Sequence, residues 1–369
     1  VLVTLAFPPA RGGMQRLMGE RVSLSRGRVV VVAPHRAGQA WERYAGSSVW
    51  RWPGHAGGWP GVRRLWQLAW MMRGIQEVRK RFEVQDLELG QSLPFGLGVW
   101  GSSYAYTVWA FGDEILKPLM HPLARPLLRN VLRRARCVYA ISSYTAQLVR
   151  QATPAARVSV VHPWPAAVFS SGSREASRRV LGVPQDVLLL LTVARLEPRK
   201  GVDRVLNVLP SLARRFPKVR YAVVGTGSAR QRWEKQAERL GVADRVWWVG
   251  DVEDPALVLW YRAADIFVLV PTPGRGEVEG FGLVYVEAAA CGVPVVAGSN
   301  GGTSEAVVHE RTGLVVPPRE AHLESALVSL LTDADKRFSL GQQGILHAQT
   351  LRLRARDFFS GNSIACSPQ

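Results

Sequence analysis

Short runs rich in β-branched and other apolar residues recur along this chain. They alternate with stretches whose apolar residues fall at helical spacing. "VLVTLAF" (1–7) and "RVVVVAP" (28–34) are such runs, closed by proline as buried parallel strands often are. Between them, "PPARGGMQRLMGE" is a Gly-Pro turn leading into a short helix. Residues 62–82 carry apolar positions at helical spacing, and "VQDLELG", "YAYTVWAF" and "CVYAISS" predict further strands. After "VVHPWPAAVF" (160–169), "SSGSREASRRVLGVPQD" has the composition of a linker plus a short helix. A second series follows. Strand 187–194 precedes a helix at 201–215, strand 219–225 precedes a helix at 228–240, and "VWWVG", "DIFVLV", "PVVAG" and "GLVVPP" are the remaining strands. Strands alternating with helices of 10–15 residues predict an α/β protein of two doubly wound domains, residues 1–168 and 169–345, with a tail over 346–369.

A length of 369 residues exceeds one hydrophobic core and agrees with two domains. An apolar content of 47% with 21% charged residues is that of a soluble globular protein. Cys137, Cys291 and Cys366 are scattered, which yields no disulfide framework or thiolate metal site and fits a reducing compartment. The most apolar stretch, 95–111, is short and interrupted by glycine and serine, so no membrane span is expected. No basic segment precedes the opening apolar run, so no signal peptide is expected and the expected location is cytoplasmic. The net charge of +18 is uneven: residues 1–170 hold 22 basic against 8 acidic residues, and the remainder 25 against 21. Eight of the thirteen tryptophans lie between Trp41 and Trp109. Basic residues interleaved with tryptophan suit a face on anionic lipid, or simply arginine bias plus core aromatics. No zinc-finger, RNP-like or helix-turn-helix pattern accompanies the charge, so no nucleic acid is expected.

Four predicted strand ends in the second domain carry chemistry, where open α/β sheets bind ligands and helix N-termini favour anions. "VARLEPRKG" (193–201) sets Arg195 and Lys200 between a strand and a helix, two cations suited to a diphosphate. "VVGTGS" (223–228) is a tight turn with Gly225 and Gly227. "EGFGLVYVEAAACGVPVVAG" (279–298) holds Glu279 and Glu287 in an otherwise apolar or small-residue stretch, where a bare carboxylate is costly. A helix is predicted to begin near Phe281, with backbone N–H groups around Gly280, Phe281 and Gly282 facing a sugar or phosphate. Glu279 would stand just outside that helix, with Glu287 about two turns along and pointing into a cleft. "GSNGGTSEAV" (298–307) adds another small-residue loop. Carboxylates for hydroxyls, cations for phosphates and glycines for close approach describe a sugar-nucleotide site.

"RLEPRKG", "VVGTGS", "EGFGLVYVEAAACGVPVVAG" and "GGTSEAV…TGLVVPP" resemble the donor half of retaining glycosyltransferases of family 4, which have the GT-B fold of two Rossmann-like domains facing a central cleft. The resemblance extends from residue 1 to about 340 and is strongest over 187–318. It implies that Arg195 and Lys200 hold the donor diphosphate, Glu279 meets sugar hydroxyls and Glu287 the ribose hydroxyls. It also implies contacts from the backbone of Phe281, Gly282 and Leu283 to sugar or phosphate, and closure of Gly12 and Gly13 of "PPARGGMQR" over phosphates and acceptor. Retention by same-face attack would rest on leaving-group stabilisation and positioning, with no metal and no cofactor beyond the nucleotide-sugar substrate. The implied activity moves a hexose (mannose, glucose or galactose) from a nucleotide diphosphate sugar to a glycan or polyprenyl-linked acceptor in cell-envelope polysaccharide synthesis. A protein peripheral on the cytoplasmic face of the membrane fits that role.

Some stretches depart from the family pattern. Phe111 of "YTVWAFGDEI" stands where the family often has a histidine near the reacting sugar, and "HPWPAAVF" replaces the usual "NGVD" segment. Only eight residues separate Glu20 from Val29, where a full helix and turn are usual, and "LRLRARDFFSGNSIACSPQ" is a faint version of the family's cross-over helix. Two alternatives therefore stand beside the leading reading: a non-catalytic GT-B protein binding glycan or a partner transferase, and a synthase acting on a soluble sugar.

Overall fold

The computed structural model describes residues 1–25, 27–35, 40–53, 60–99, 104–272, 274 and 277–360. Contacts divide the chain into two units, Val1–Pro163 with Arg354–Gln369, and Trp164–Leu353. The split falls at Pro163 rather than at residue 168, and the chain's end clusters with the first unit.

Unit 1 is built on an eight-stranded sheet of β1 (Leu2–Val3), β2 (Val31–His35), β3 (Ala40–Tyr44), β4 (Ser47–Pro53), β5 (Leu87–Leu89), β6 (Tyr106–Ala110), β7 (Cys137–Ala140) and β8 (Val158–Val160), in the order β3-β4-β2-β1-β5-β6-β7-β8. All neighbours are parallel except β3 and β4. That hairpin is absent from the sequence expectations. Its two-residue turn holds Ala45 at φ 48° and Gly46 at φ 82°, the conformation that matches strand twist. The first helix, Gly13–Leu24, runs four residues past Glu20 and so uses most of the interval that the sequence makes short.

The described tryptophans of the 41–109 cluster are core residues. Trp50, Trp52 and Trp109 are buried, and Trp41, Trp66 and Trp70 pack against the same core as Val3, Val32, Leu89 and Val108. Trp59 and Trp100 lie outside the described residues. Core packing, rather than an aromatic outer face, is what this cluster serves.

Unit 2 carries a fully parallel sheet of β9 (Leu188–Val193), β10 (Val219–Val224), β11 (Val246–Gly250), β12 (Ile266–Leu269), β13 (Val295–Gly298) and β14 (Gly313–Val316), ordered β11-β10-β9-β12-β13-β14. Its strands are near-continuous apolar runs because both faces are covered. Beneath β9, Asp265 accepts from Arg178 Nη2 and Arg174 Nη2 at 2.7 Å each and from the Leu189 N–H at 2.6 Å. Arg178 is fully buried and also donates to the carbonyls of Ala263, Pro184, Gln185 and Val187.

The last helix, Ala334–Ser360, passes unbroken through residues 345 and 346, where the sequence suggests a domain end. In unit 2 its Arg352 donates to the carbonyls of Pro165 (2.8 Å), Ala166 and Phe169 (both 2.6 Å), which ties down the unusual "HPWPAAVF" segment. In unit 1 the helix end seats Phe358 edge-on against Tyr139 and lays Phe359 under the Arg21 guanidinium, 4.0 Å from the ring centre. Arg21 in turn grips Glu88 through two hydrogen bonds of 3.1 and 2.8 Å, and Trp109 donates to the same carboxylate at 2.7 Å. Cys291 is a buried free thiol, and Cys366 lies outside the described residues. Among the described residues, no helix is long and apolar enough to cross a membrane.

Asp265→Ala leaves two arginines and a backbone N–H without their shared acceptor. We expect a loss of about 3–5 kcal/mol, the cost of breaking a buried pair by deleting one partner. Urea unfolding followed by a unit 2 signal checks this, and an unchanged midpoint would remove Asp265 from the foundations of that unit.

Candidate functional site

The loops that follow β9, β10, β12 and β13 meet at the carboxyl edge of the unit 2 sheet. Their backbones touch because glycines stand at the contacts. Gly225 has φ +125°, and a Cβ there would fall 2.0 Å from the Ala194 carbonyl oxygen. A Cβ on Gly227 would fall 2.4 Å from the carbonyl oxygen of Leu196. Hydrogen bonds from Leu196 N to Thr226 O and from Ala229 N to Leu196 O, both 2.8 Å, then lock the β10 loop to the loop that bears Arg195. The G-x-G pair thus positions a neighbouring loop. On the other side, Gly201 at φ +74° lies against the Val270 carbonyl, and Thr272 N donates to Arg199 O at 2.8 Å.

The charges on these loops interlock. Lys200 Nζ donates to Glu279 Oε2 at 2.7 Å, with the two side chains only 12% and 15% exposed. Arg199 lies among three carboxylates, with Nη1 3.8 Å from Glu279 and Nε 3.3 Å from Glu277 and 3.7 Å from Glu197. Arg195 is 73% exposed and pairs with Glu197 at 2.7 Å. Burial alone would push the Glu279 carboxyl up. Lys200, followed by Arg199 and Arg195, outweighs it and holds the group below the usual carboxylate range. Glu279 is also fixed from behind, since its carbonyl accepts from Gly302 N at 3.0 Å and a Cβ on Gly301 would fall 2.2 Å from that oxygen. The structure therefore brings Arg195, Lys200 and Glu279 into one cluster. Sequence reading missed Arg199 and the accompanying acids Glu197 and Glu277. The alternation of sign in "RLEPRK" and "EVE" was the available signal.

The helix predicted near Phe281 begins at Leu283 and ends at Ala290. Gly280, Phe281 and Gly282 are buried and Leu283 half-buried. Glu287 departs from expectation. It lies a little over one turn into this helix, is fully buried, and accepts from the Tyr261 hydroxyl at 3.0 Å in the neighbouring helix Asp254–Ala263. An ionisable group so deep needs a polar partner, and the helix–helix contact supplies one that the sequence does not reveal.

Gly12 and Gly13 belong to unit 1, where Gly12 (φ 141°) immediately precedes helix Gly13–Leu24. The loop before them is held by buried Arg51 of β4, whose Nη2 donates to Pro8 O and to Glu42 at 2.5 Å each. Phe111, at the end of β6, stacks on Trp109 with ring centres 6.1 Å apart. The Phe111 and Gly112 N–H groups turn to Glu114 Oε1. Burial pushes the Glu114 carboxyl up to about 7 against those two donors. Among the described residues, no group of three or more His, Cys, Asp and Glu side chains is arranged to hold a metal ion.

Residues 173–347 match the family model described as "Glycosyl transferases group 1". Over its whole length the chain is similar to the GDP-mannose-dependent alpha-(1-6)-phosphatidylinositol monomannoside mannosyltransferase of Mycobacterium tuberculosis, at 32% identity across 99% of each chain. A D-inositol 3-phosphate glycosyltransferase of Kribbella flavida is 38% identical over 205 residues, 53% of this chain and 47% of that protein. In fold, the chain is similar to sucrose-phosphate synthase from Thermosynechococcus elongatus, with a TM-score of 0.81 at 21% identity over 97% of this chain and 98% of that one.

Because the folded carboxyl of Glu279 sits below its unfolded value, its pair with Lys200 stabilises fully above the unfolded value of about 4.3. That contribution is lost as pH falls through the lower folded value. Lys200→Met should therefore flatten the acid side of the stability profile. Urea midpoints taken between about pH 3 and pH 7 check this. Parallel acid slopes in both proteins would assign the slope to other carboxylates.

Proposed function

The chain belongs to the glycosyl transferases group 1 family and is a hexosyltransferase; from that premise we propose that it moves mannose from GDP-mannose, with retention, to a phospholipid-borne acceptor in cell-envelope synthesis. The observation that carries this reading is the cluster of Arg195, Arg199, Lys200 and Glu279 at the carboxyl edge of the unit 2 sheet. The choice of base, sugar and acceptor draws support from the mycobacterial relative, whose name specifies GDP-mannose and a phosphatidylinositol mannoside and which aligns over 99% of both chains.

In this mechanism Lys200 and Arg195 take the donor diphosphate. Arg offers a planar fork and Lys a point charge, and both act most strongly as negative charge grows on the departing nucleotide. Lys200 is bonded to Glu279 in the free protein, so the incoming phosphates exchange one anion for another at Nζ. Glu279 remains ionised and pinned by its backbone, and turns its acceptor oxygens to sugar hydroxyls. Arg199 keeps the displaced carboxylates compensated. Backbone groups from Gly280 to Leu283 approach the sugar, and Gly225 and Gly227 act through the loop they support. For Glu287, the proposed ribose contact requires its carboxylate to become accessible, because it is fully buried against Tyr261 here. Gly12 and Gly13 are assigned to phosphate and acceptor on the family resemblance. Charge neutralisation is given to these side chains, with no metal in the scheme. Phe111 can neither give nor take a proton, so the departing phosphate deprotonates the acceptor. The protein works at the cytoplasmic membrane surface, where a phospholipid-borne acceptor is met.

GDP should bind and protect unit 2 thermally, by about 2.7 kcal/mol at a hundredfold excess over Kd, or several degrees in Tm. Thermal shifts with GDP, UDP and ADP check the site and rank the bases, and hydrolysis of GDP-mannose against UDP-glucose without acceptor checks the donor. No shift with any nucleotide would sink the site, while a preference for UDP would replace only the donor assignment.

Lys200→Ala should lower kcat by about a hundredfold or more at saturating donor, the scale of one charged contact made mainly in the transition state. A raised KM with parental kcat would instead make Lys200 a ground-state anchor.

A further inference from the structure

Pro8 and Pro9 open the stretch that leads to Gly12 and Gly13, and neither carries an N–H. Such a stretch accepts hydrogen bonds but cannot donate them, so whatever fixes it must bring donors. Hairpin β3–β4 supplies them. Arg51 of β4, 1% exposed, donates from Nη2 to Pro8 O at 2.5 Å and from Nη1 to Pro34 O at 3.3 Å. Its Nε and Nη2 meet Glu42 Oε1 of β3 at 2.8 and 2.5 Å. The guanidinium also lies over the Phe7 ring, 5.2 Å from the centre, and Tyr44 of β3 packs edge-on against that ring at 5.0 Å.

The far end of the loop returns to the same place. Helix Gly13–Leu24 brings Gly19 against the hairpin, where a Cβ would fall 2.6 Å from the Tyr44 hydroxyl oxygen and 3.0 Å from Cγ of Pro8. Phe7 and Gly19 are buried, whereas residues 9–14 are exposed. An exposed tip thus stands on a base that hairpin residues clamp from both sides. Stability alone does not account for the arginine. Replacing a buried ion pair by well-packed apolar residues is often neutral or stabilising, and Glu42 is itself 39% exposed. What the guanidinium adds is geometry, since one rigid plane holds the carbonyls of Pro8, after β1, and of Pro34, in β2.

We propose that Arg51 is a positioning residue for the transfer reaction: braced by Glu42, it sets where the Gly12–Gly13 loop stands, with hairpin β3–β4 as the abutment. It acts through the Pro8 carbonyl rather than by touching the reacting atoms. The catalytic use of the clamp rests on the assignment of Gly12 and Gly13 to phosphate and acceptor made above, whereas the clamp itself does not. Lysine is no substitute here. One ammonium offers a point charge, without the planar fork that spans Pro8, Pro34 and Glu42 together. Arg51→Lys therefore keeps the charge and loosens the loop. Glu42→Gln keeps the shape of the brace and weakens it.

Arg11, exposed and next to Gly12, makes the loop directly readable, because trypsin cuts after arginine where the chain can open locally. In brief digestion of the full chain, cleavage between Arg11 and Gly12, followed by mass, should run about tenfold faster in Arg51→Lys than in the parent. Glu42→Gln should fall between the two. In Arg51→Lys, kcat for acceptor-free hydrolysis of GDP-mannose should drop about ten- to a hundredfold, with KM and thermal protection by GDP near parental values. Acceleration confined to the loop separates a displaced loop from a partly unfolded protein. If Arg51→Lys is digested throughout, Glu42→Gln carries the test, and must show loop-confined acceleration with lowered kcat. Loop cleavage at the parental rate in both variants overturns the clamp. Faster loop cleavage with parental kcat overturns the positioning role. A parent that binds GDP but hydrolyses no GDP-mannose overturns the donor reading and the catalytic use with it, while the cleavage rates still decide the clamp.

Discussion

The candidate site depends on backbones touching. At the carboxyl edge of the unit 2 sheet, the loop after β9 is pressed between the loops after β10 and β12, and a Cβ at Gly225 or Gly201 would fall 2.0 Å from a carbonyl oxygen of the adjoining loop. No side chain larger than hydrogen fits at either contact. The loop with Arg195, Arg199 and Lys200 owes its shape to this contact more than to its own sequence. A tight turn that would suit any fold thereby becomes a condition for placing three cations.

What those cations then do follows from their company. Arg195, Arg199 and Lys200 face Glu197, Glu277 and Glu279, so the cluster is close to neutral within itself. A cluster of bare cations would be a strong but indiscriminate anion trap. Under the proposed function, an arriving diphosphate would exchange with these carboxylates, which would favour a ligand that brings both phosphates for Lys200 and hydroxyls for the released Glu279. Electrostatics and stereochemistry would then be read at one place, with Glu279 as partner to the first and proposed acceptor for the second.

In unit 1 the dominant theme is arginine used inside the protein. Arg21 links Glu88 to the ring of Phe359, and Arg51 binds Glu42 and the Pro8 carbonyl. Each guanidinium sits over an aromatic ring, Arg21 over Phe359 and Arg51 over Phe7, while donating through its planar fork, a geometry that the point charge of lysine does not offer. Trp109 joins the first of these networks through its ring nitrogen and stacks on Phe111 with its face. Phe111 thus continues an aromatic layer, and the nearby polar chemistry passes to Glu114 and the backbone.

Several features were determined by the sequence alone. Apolar runs alternating with helical periodicity specified two parallel-sheet units, because strand and helix periods are local properties of consecutive residues. The spacing of Arg195, Lys200 and Glu279 around strand ends identified one cluster, because parallel strands bring their carboxyl ends to one edge whatever the loops do. Only the tertiary structure decided the rest. Hairpin β3–β4 depends on a turn at Ala45–Gly46 and on the edge of β2, and neither leaves an apolar run to recognise. Arg199 looks like any loop cation until Glu277, 78 positions later, folds onto it. Glu287, placed by the sequence on a ligand, has the Tyr261 hydroxyl as a partner across a helix contact. The segment that reads only as a faint cross-over helix ends, at Phe358 and Phe359, on Tyr139 and Arg21, residues more than two hundred positions away. In each case the partner is distant in the chain, and a buried charge or ring takes its role from the partner rather than from its neighbours in sequence.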